Sequence, residues 1–261
     1  MGAWAKYHFG EATFDEIGIV VPGASVKNHR KDILDLFDEV VWSREDMVFH
    51  GHLVKKDGVS YPLLFDVFGV SAMLDALALI HDGGCRTVIF VGSAYGFKNL
   101  EVGSIVIPDK SYHFEEIYNR VESERRAGFP DEELKVRLKS LLDENGVDYI
   151  IGPNVSIPAV TFKPPLTNEE FKKIQPVTLE QELSACLSRG KEIGIRAVGT
   201  LIVGDNHRAR MGDITVPSIA PIRISILKTI TDNLSNFRVP RLSTEQEFKI
   251  EKYFDSISEE L

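Results

Sequence analysis

Two cysteines, Cys85 and Cys186, are all that this 261-residue chain contains. Both lie in apolar contexts, as buried thiols do, and two isolated thiols make neither a disulfide framework nor a metal cluster. No zinc-type Cys/His spacing occurs, and there is no P-loop, dinucleotide fingerprint or serine-centred nucleophile elbow. Apolar runs are short, none approaching the roughly 18 residues of a membrane-spanning helix. The N-terminal stretch MGAWAKYHFGEATFDE carries acids and lacks the apolar core of a secretory signal. Met1-Gly2 invites myristoylation, but Lys6 stands where that signal needs Ser or Thr. A basic excess is missing too: 30 Lys and Arg face 39 Asp and Glu, a net charge of -9. Nucleic acid as a partner is therefore not expected, since phosphate-backbone binding relies on a basic face. The expectation is a soluble, cytoplasmic protein that touches neither nucleic acid nor membrane.

What is present suffices for a sizeable core, with 43% hydrophobic and 26% charged residues. Residues 1–15 read as irregular. Ile17 to Val21 is a short buried strand ending at Pro22-Gly23-Ala24-Ser25, and Ser25 is placed to cap a helix running to about Phe37. Met47–Val54 and Val59–Val67 flank Lys55-Lys56-Asp57-Gly58, whose Asp-Gly step signals a hairpin. Helices are expected over Ala72–Ile80, Glu132–Leu142 and Leu183–Ile193, then near Ile219–Leu234 and Thr244–Ile257. A short one follows a cap at Thr167 or Asn168. Further strands are expected at Tyr149–Gly152, Val155–Phe162 and Ile195–Val203. Strands alternating with helices, without linker or repeat, imply one α/β domain over residues 1–261. Its central sheet is mixed but largely parallel and flanked by helices in three layers.

The chain is organised around VIFVGSAYGFKNLEVGSIVIPD, from Val88 to Asp109. Its apolar opening reads as a strand buried on both faces that breaks at Gly92-Ser93 into a small-residue loop ending at Gly96. Ligands of parallel sheets bind outside the carboxyl ends of the strands. Four loops of that kind hold Gly23 with Lys27, Phe68-Gly69, Gly92-Ser93 and Gly204-Asp205. A fifth junction carries Glu180-Gln181-Glu182 at a helix start, where acids are either solvated partners of the helix dipole or ligand-binding groups. Asp205 follows a nearly all-apolar strand, where desolvation raises a carboxyl pKa and suits it to general acid work. It could equally be a turn or capping aspartate. The Gly23 turn feeding a helix start is a ready anion site. Lys27 and Arg30 stand there, at the end where the dipole disfavours cations.

In order and spacing these pieces resemble the nucleoside phosphorylase and nucleosidase superfamily, which includes hexameric purine nucleoside phosphorylase, uridine phosphorylase and methylthioadenosine nucleosidase. The likeness runs from about Ile17 to Arg208. It rests on Val91-Gly92-Ser93-Ala94-Tyr95-Gly96 followed by Val102 to Ile107, on Glu180-Gln181-Glu182-Leu183-Ser184-Ala185, and on Ile202-Val203-Gly204-Asp205-Asn206. The resemblance implies that Asp205 protonates a purine at N7 and that Glu182 binds the ribose hydroxyls, with Glu180 and Gln181 beside it. Phe162 would stack on the base and Phe68 pack the ribose. Ser93 would serve both sugar and phosphate, with Gly23, Lys27 and Arg44 completing the phosphate site. His8 and Arg44 would be lent across a dimer, so a homo-oligomer built on dimers, up to a hexamer, is expected. The implied reaction cleaves the N-glycosidic bond. Phosphorolysis to free base and sugar 1-phosphate is narrowly preferred over hydrolysis, and a non-catalytic nucleoside-binding protein is the reading from another class. The partners are then a nucleoside and phosphate, phosphate being a co-substrate, with no metal or organic cofactor. Departures are concentrated on the phosphate side: Phe90 stands where relatives carry an arginine, Lys27 replaces another, and Ala24 an aspartate. Gln181 stands in place of a methionine. Arg208, Arg210 and Arg223 compete to assist Asp205.

Overall fold

The computed structural model describes residues 2–45, 48–97, 100–114, 127–158, 169–206 and 218–240. The expected helix over Thr244–Ile257, the cap at Thr167 or Asn168, the strand end at Phe162, and Arg208 and Arg210 lie outside the described residues.

The core strand is β5 (Thr87–Gly96), which pairs in parallel with β1 (Ile17–Val21) and β10 (Arg196–Asn206). β1 also pairs in parallel with β4 (Val59–Phe65). Beyond β4 the sheet continues antiparallel through β3 (His50–Lys56) to β2 (Glu39–Arg44) at the edge. The β3–β4 turn is the expected Asp57-Gly58 pair, with φ of 52° and 76°, the left-handed pair that a tight hairpin of this twist requires. On its other side the sheet curls up. β10 pairs with β6 (Ile105–His113), β6 with β8 (Ile150–Ser156), β8 with β9 (Thr178–Glu180), and β9 returns to β5. A two-residue strand, β7 (Ala127–Gly128), pairs with β6. The mixed α/β architecture is as expected, with this closed loop of strands added to it.

Helices cover both faces. α1 (Ala3–Phe9), α3 (Gly69–Asp82) and α6 (Leu183–Glu192) belong to one side, where Met73, Leu77, Leu183 and Cys186 pack with Phe90 and Leu201. α2 (Arg30–Leu34), α4 (Glu132–Glu144) and α7 (Ala220–Thr231) cover the other, where Ile33, Leu138 and Ile226 pack with Ile19, Ile89 and Ile202. α5 (Glu169–Ile174) precedes β9. The period-two alternation of β1, β4 and β5 supplies both cores at once, which is why these strands read as continuous apolar runs. Cys85 and Cys186 are buried free thiols, as expected.

Several elements differ from the sequence reading. The helix expected from Ser25 to Phe37 is a 3-10 segment, Ala24–His29, followed by the short α2. Gly23 before it has φ 94° and no side-chain cap closes its first turn, which holds no acid, so little favours a regular helix. The N-terminal residues expected to be irregular form α1, because the Asp82 carboxylate accepts the N–H groups of Gly2, Trp4 and Ala5 at 2.9–3.2 Å. β5 does not break at Gly92 but pairs with β10 through Gly96. β10 likewise runs on past Val203, with a bulge before Asp205. The two strands expected over Tyr149–Gly152 and Val155–Phe162 begin as one, β8. β2 is not expected from the sequence, because both its faces are exposed and leave no burial period in it.

Candidate active site

The carboxyl end of β5 collects the groups that can do chemistry. Ser93 lies opposite Ile202 of β10, and two positions later Tyr95 lies opposite Asp205. The irregularity between Val203 and Asp205 makes Gly204 the extra residue, and a Cβ there would lie 3.8 Å from that of Ser93. A bulge re-aims the side chain that follows it; here that residue is Asp205, half-buried at the rim of the sheet. On the other flank Tyr95 and Gly96 pair with Leu179 and Thr178 of β9, which delivers Glu180 and then Glu182 at the start of α6.

Glu180 and Glu182 are 6% and 5% exposed, so they are not solvated helix-start acids. One Glu180 oxygen accepts the N–H groups of Glu182 at 2.6 Å and Leu183 at 2.7 Å. The other accepts the Asn154 amide at 2.8 Å and the Ser156 hydroxyl. Asn154 is held in turn by the Thr178 hydroxyl at 3.0 Å and donates to Ser111 at 2.7 Å. The Glu182 carboxylate accepts the N–H of Gly69 at 2.7 Å. Gly69 opens α3 with φ 76°, a conformation that favours glycine, and Phe68 before it is 48% exposed. Burial pushes Glu182 up to about 8, with the Glu180 charge as second cause. A carboxyl so placed is a functional-site signal as well as a structural one.

On the same edge of β5 as β9, β1 ends at the Gly23 turn, where Val26 N–H closes on the Gly23 carbonyl at 3.2 Å and Lys27 is exposed. Gly23, Phe68, Ser93, Glu180, Gln181, Glu182 and Asp205 thus belong to strand ends and junctions on one rim of the sheet. Residues 19–219 match the phosphorylase superfamily. The chain belongs to that superfamily. Solved structures of the same fold include a purine nucleoside phosphorylase from Toxoplasma gondii in complex with immucillin-H. It is 13% identical with a TM-score of 0.68, over 83% of this chain and 90% of that one. A futalosine hydrolase mutant from Helicobacter pylori is 15% identical with a TM-score of 0.70, over 83% and 98%. An MTAN mutant from Helicobacter pylori with 5′-methylthioadenosine in its active site is 14% identical with a TM-score of 0.70, over the same shares. At these identities the likeness shows the fold. No curated protein matches the sequence.

In this superfamily member two further expected residues are held by contacts within their own chain. His8 is 5% exposed and its ring stacks on Phe49 at 6.2 Å within its own chain. Arg44, at the end of the edge strand, donates to the Tyr7 carbonyl at 2.7 Å and lies 4.0 Å over the Tyr7 ring. Phe162 lies outside the described residues. Phe90 is fully buried, and its ring covers Gly92: a Cβ on Gly92 would come within 2.5 Å of it. Arg223 is also fully buried and hydrogen-bonds His29 at 2.9 Å, tying α7 to the turn that follows Gly23; burial lowers its pKa to about 10.

The sequence reading missed a polar cluster beside the Gly23 turn. Asp66, three residues before Gly69, has φ 55° and bonds Arg30, with His50 Nδ1 3.3 Å from the same oxygen. His52 is buried nearby with Nδ1 2.8 Å from the Ser43 hydroxyl, and burial lowers it to about 4. A run of alternating histidines facing a strand-end aspartate was a visible signal, but only the β3–β4 pairing, with His50 opposite Phe65, sets them together. Among the described residues no group of His, Cys, Asp and Glu could hold a metal ion, and no helix is long and apolar enough to cross a membrane.

Proposed function

We propose that this chain cleaves the N-glycosidic bond of a purine nucleoside, with Asp205 as the acid at the base and Glu182 as the sugar anchor. The observation that carries this reading is the convergence of Asp205, Ser93 and the Glu182–Gly69 pair on the end of β5. Breaking the C1′–N bond sends its electrons into the base, and a carboxylic acid there protonates the leaving group. A group held on the ribose hydroxyls fixes the sugar while positive charge develops on it. That chemistry asks for no metal or organic cofactor. The names of the similar structures, a purine nucleoside phosphorylase, a futalosine hydrolase and an MTAN holding 5′-methylthioadenosine, agree with it.

Water is the nucleophile we favour, because Phe90 fills with a buried ring the position at which relatives carry a phosphate-binding arginine. Loss of a bidentate guanidinium removes the strongest kind of phosphate contact, and Arg30 and Arg44 are already engaged with Asp66 and Tyr7. Water then adds at C1′, gives its proton to solvent, and leaves free base and sugar. Phosphorolysis is the second reading, supported by the Gly23 turn and exposed Lys27. Incubation with a nucleoside panel, with and without phosphate, separates the two. Equal base release in phosphate-free buffer supports water, and release that requires phosphate and yields sugar 1-phosphate overturns it. No release from any nucleoside that binds leaves a binding protein.

A further inference from the structure

We propose that Glu180 does not touch the sugar but is a positioning residue, clamping the first turn of α6 so that Glu182 is presented to Gly69 and the ribose site. The inference rests on Glu182 being the sugar anchor. Both acids are within reach of a ligand by sequence alone, yet the hydrogen bonds divide them. Every Glu180 contact points inward: to the Glu182 and Leu183 N–H groups, to Asn154 and to Ser156. Ser156 carries the clamp one residue further by accepting the Ser184 N–H at 2.9 Å. With four donors aimed at its two oxygens, Glu180 has no lone pair left for a sugar hydroxyl at ordinary geometry. The Glu182 carboxylate accepts the Gly69 N–H at 2.7 Å and the Gln181 N–H, fewer donors than Glu180 takes.

The division has an electrostatic consequence. Burial disfavours charge on both carboxyls, and two neighbouring buried acids resist ionising together. Burial also raises Glu180, but its four donors offset part of that rise. The shared proton is therefore placed on Glu182, which burial and then the Glu180 charge hold up to about 8 against N–H groups of Gly69 and Gln181. From α6 the Cys186 thiol faces the same charge, and burial, Glu180 and then Cys85 drive it upward, so it stays neutral. Among the described residues β6 and β8 give this group hydroxyls and an amide, from Ser111, Ser156 and Asn154. The resulting Glu182 is a neutral donor able to bond a ribose oxygen, and it ionises only above neutrality.

The folded-state value of Glu182 lies above its ordinary 4.5. Native protein therefore keeps a proton that the unfolded chain gives up. The associated stability is complete below about 4.5 and is lost as pH rises through about 8. Thermal unfolding followed from pH 4.5 to 9 reads this without any assay of activity. Wild type should lose melting temperature across that window more steeply than Glu182→Gln. Glu180→Gln should move the window down by at least one pH unit, and the pH profile of base-release kcat/KM should move with it, while KM rises several-fold. Ser156→Ala, which removes one donor to Glu180 and the acceptor of the Ser184 N–H but leaves the Glu180 bonds to the Glu182 and Leu183 N–H groups, should move the window down by less. If both variants lower the melting temperature equally at every pH, Glu180 is merely structural and the proposal fails. If Glu180→Gln does not fold, Ser156→Ala alone decides by the same shift. A wild type that releases no base but shows the window overturns the catalytic reading and not the clamp.

Discussion

Asp205 and Glu182 are both carboxyls near the end of β5, and the proposed reaction gives them different work that suits their surroundings. Asp205 stands half-buried after a strand irregularity, whereas Glu182 is sealed at a helix start against Gly69. An acid that donates to a leaving base is worth about 100- to 10,000-fold in rate. Asp205→Asn keeps the shape and removes the proton. Base release from purine nucleosides, followed under saturating substrate, is expected to fall by about that factor with KM changed less than about threefold. A rate within about twofold of wild type would remove Asp205 from the reaction. Both residues stood out in the sequence from their motifs, but only Asp205 did so for a stated physical reason, the apolar strand before it. That Glu182 is buried rather than solvated depends on Gly69, 113 residues away in the chain.

At the scale of the element, β5 shows how a glycine is fixed by its neighbour. Gly92 reads as a break in an apolar run, but its missing side chain makes room for the Phe90 ring two residues earlier on the same face of the strand. Leu201 closes the space from β10, where a Cβ on Gly92 would come within 3.2 Å. The Phe90 ring is fully buried. Overpacking of such a core costs about 1–3 kcal/mol. Gly92→Ala should lower unfolding stability by about that amount in urea titration. Phe90→Leu in the same chain should recover part of it, because the two residues share one volume. Independent, additive losses would show that the ring does not occupy that space. The contrast with Gly58 is direct: a Cβ there meets nothing within 4 Å, and its glycine answers only to a turn with φ 76°.

At the scale of the whole molecule, one edge of the sheet gathers exposed apolar side chains. The outer strand β2 exposes Val40 and Trp42, and near it α1 exposes Trp4 and Tyr7. α1 packs against both β2 and β3. An edge strand with unpaired backbone and apolar side chains is a template for association unless something covers it. We predict that a second copy covers it, making a dimer at micromolar concentration in analytical ultracentrifugation. Trp42→Glu should shift the sedimentation to monomer while leaving the fold intact by far-UV circular dichroism. A monomeric wild type would dispose of the prediction.

The α/β class, the hairpin at Asp57-Gly58, most helices and the motif residues from Gly23 to Asp205 followed from the sequence, because apolar periodicity, turn residues and motif spacing are local properties. Tertiary structure alone decided the rest, since it depends on partners distant in the chain. Asp82 makes a helix of residues 3–9, and β10 carries β5 past Gly92. β9 brings Glu180 and Glu182 to the end of β5, on the edge opposite the strand that carries Asp205, and Gly69 closes on Glu182. Phe90, too, is apolar in any reading of the sequence; that its ring lies buried over Gly92 follows from how two strands are packed.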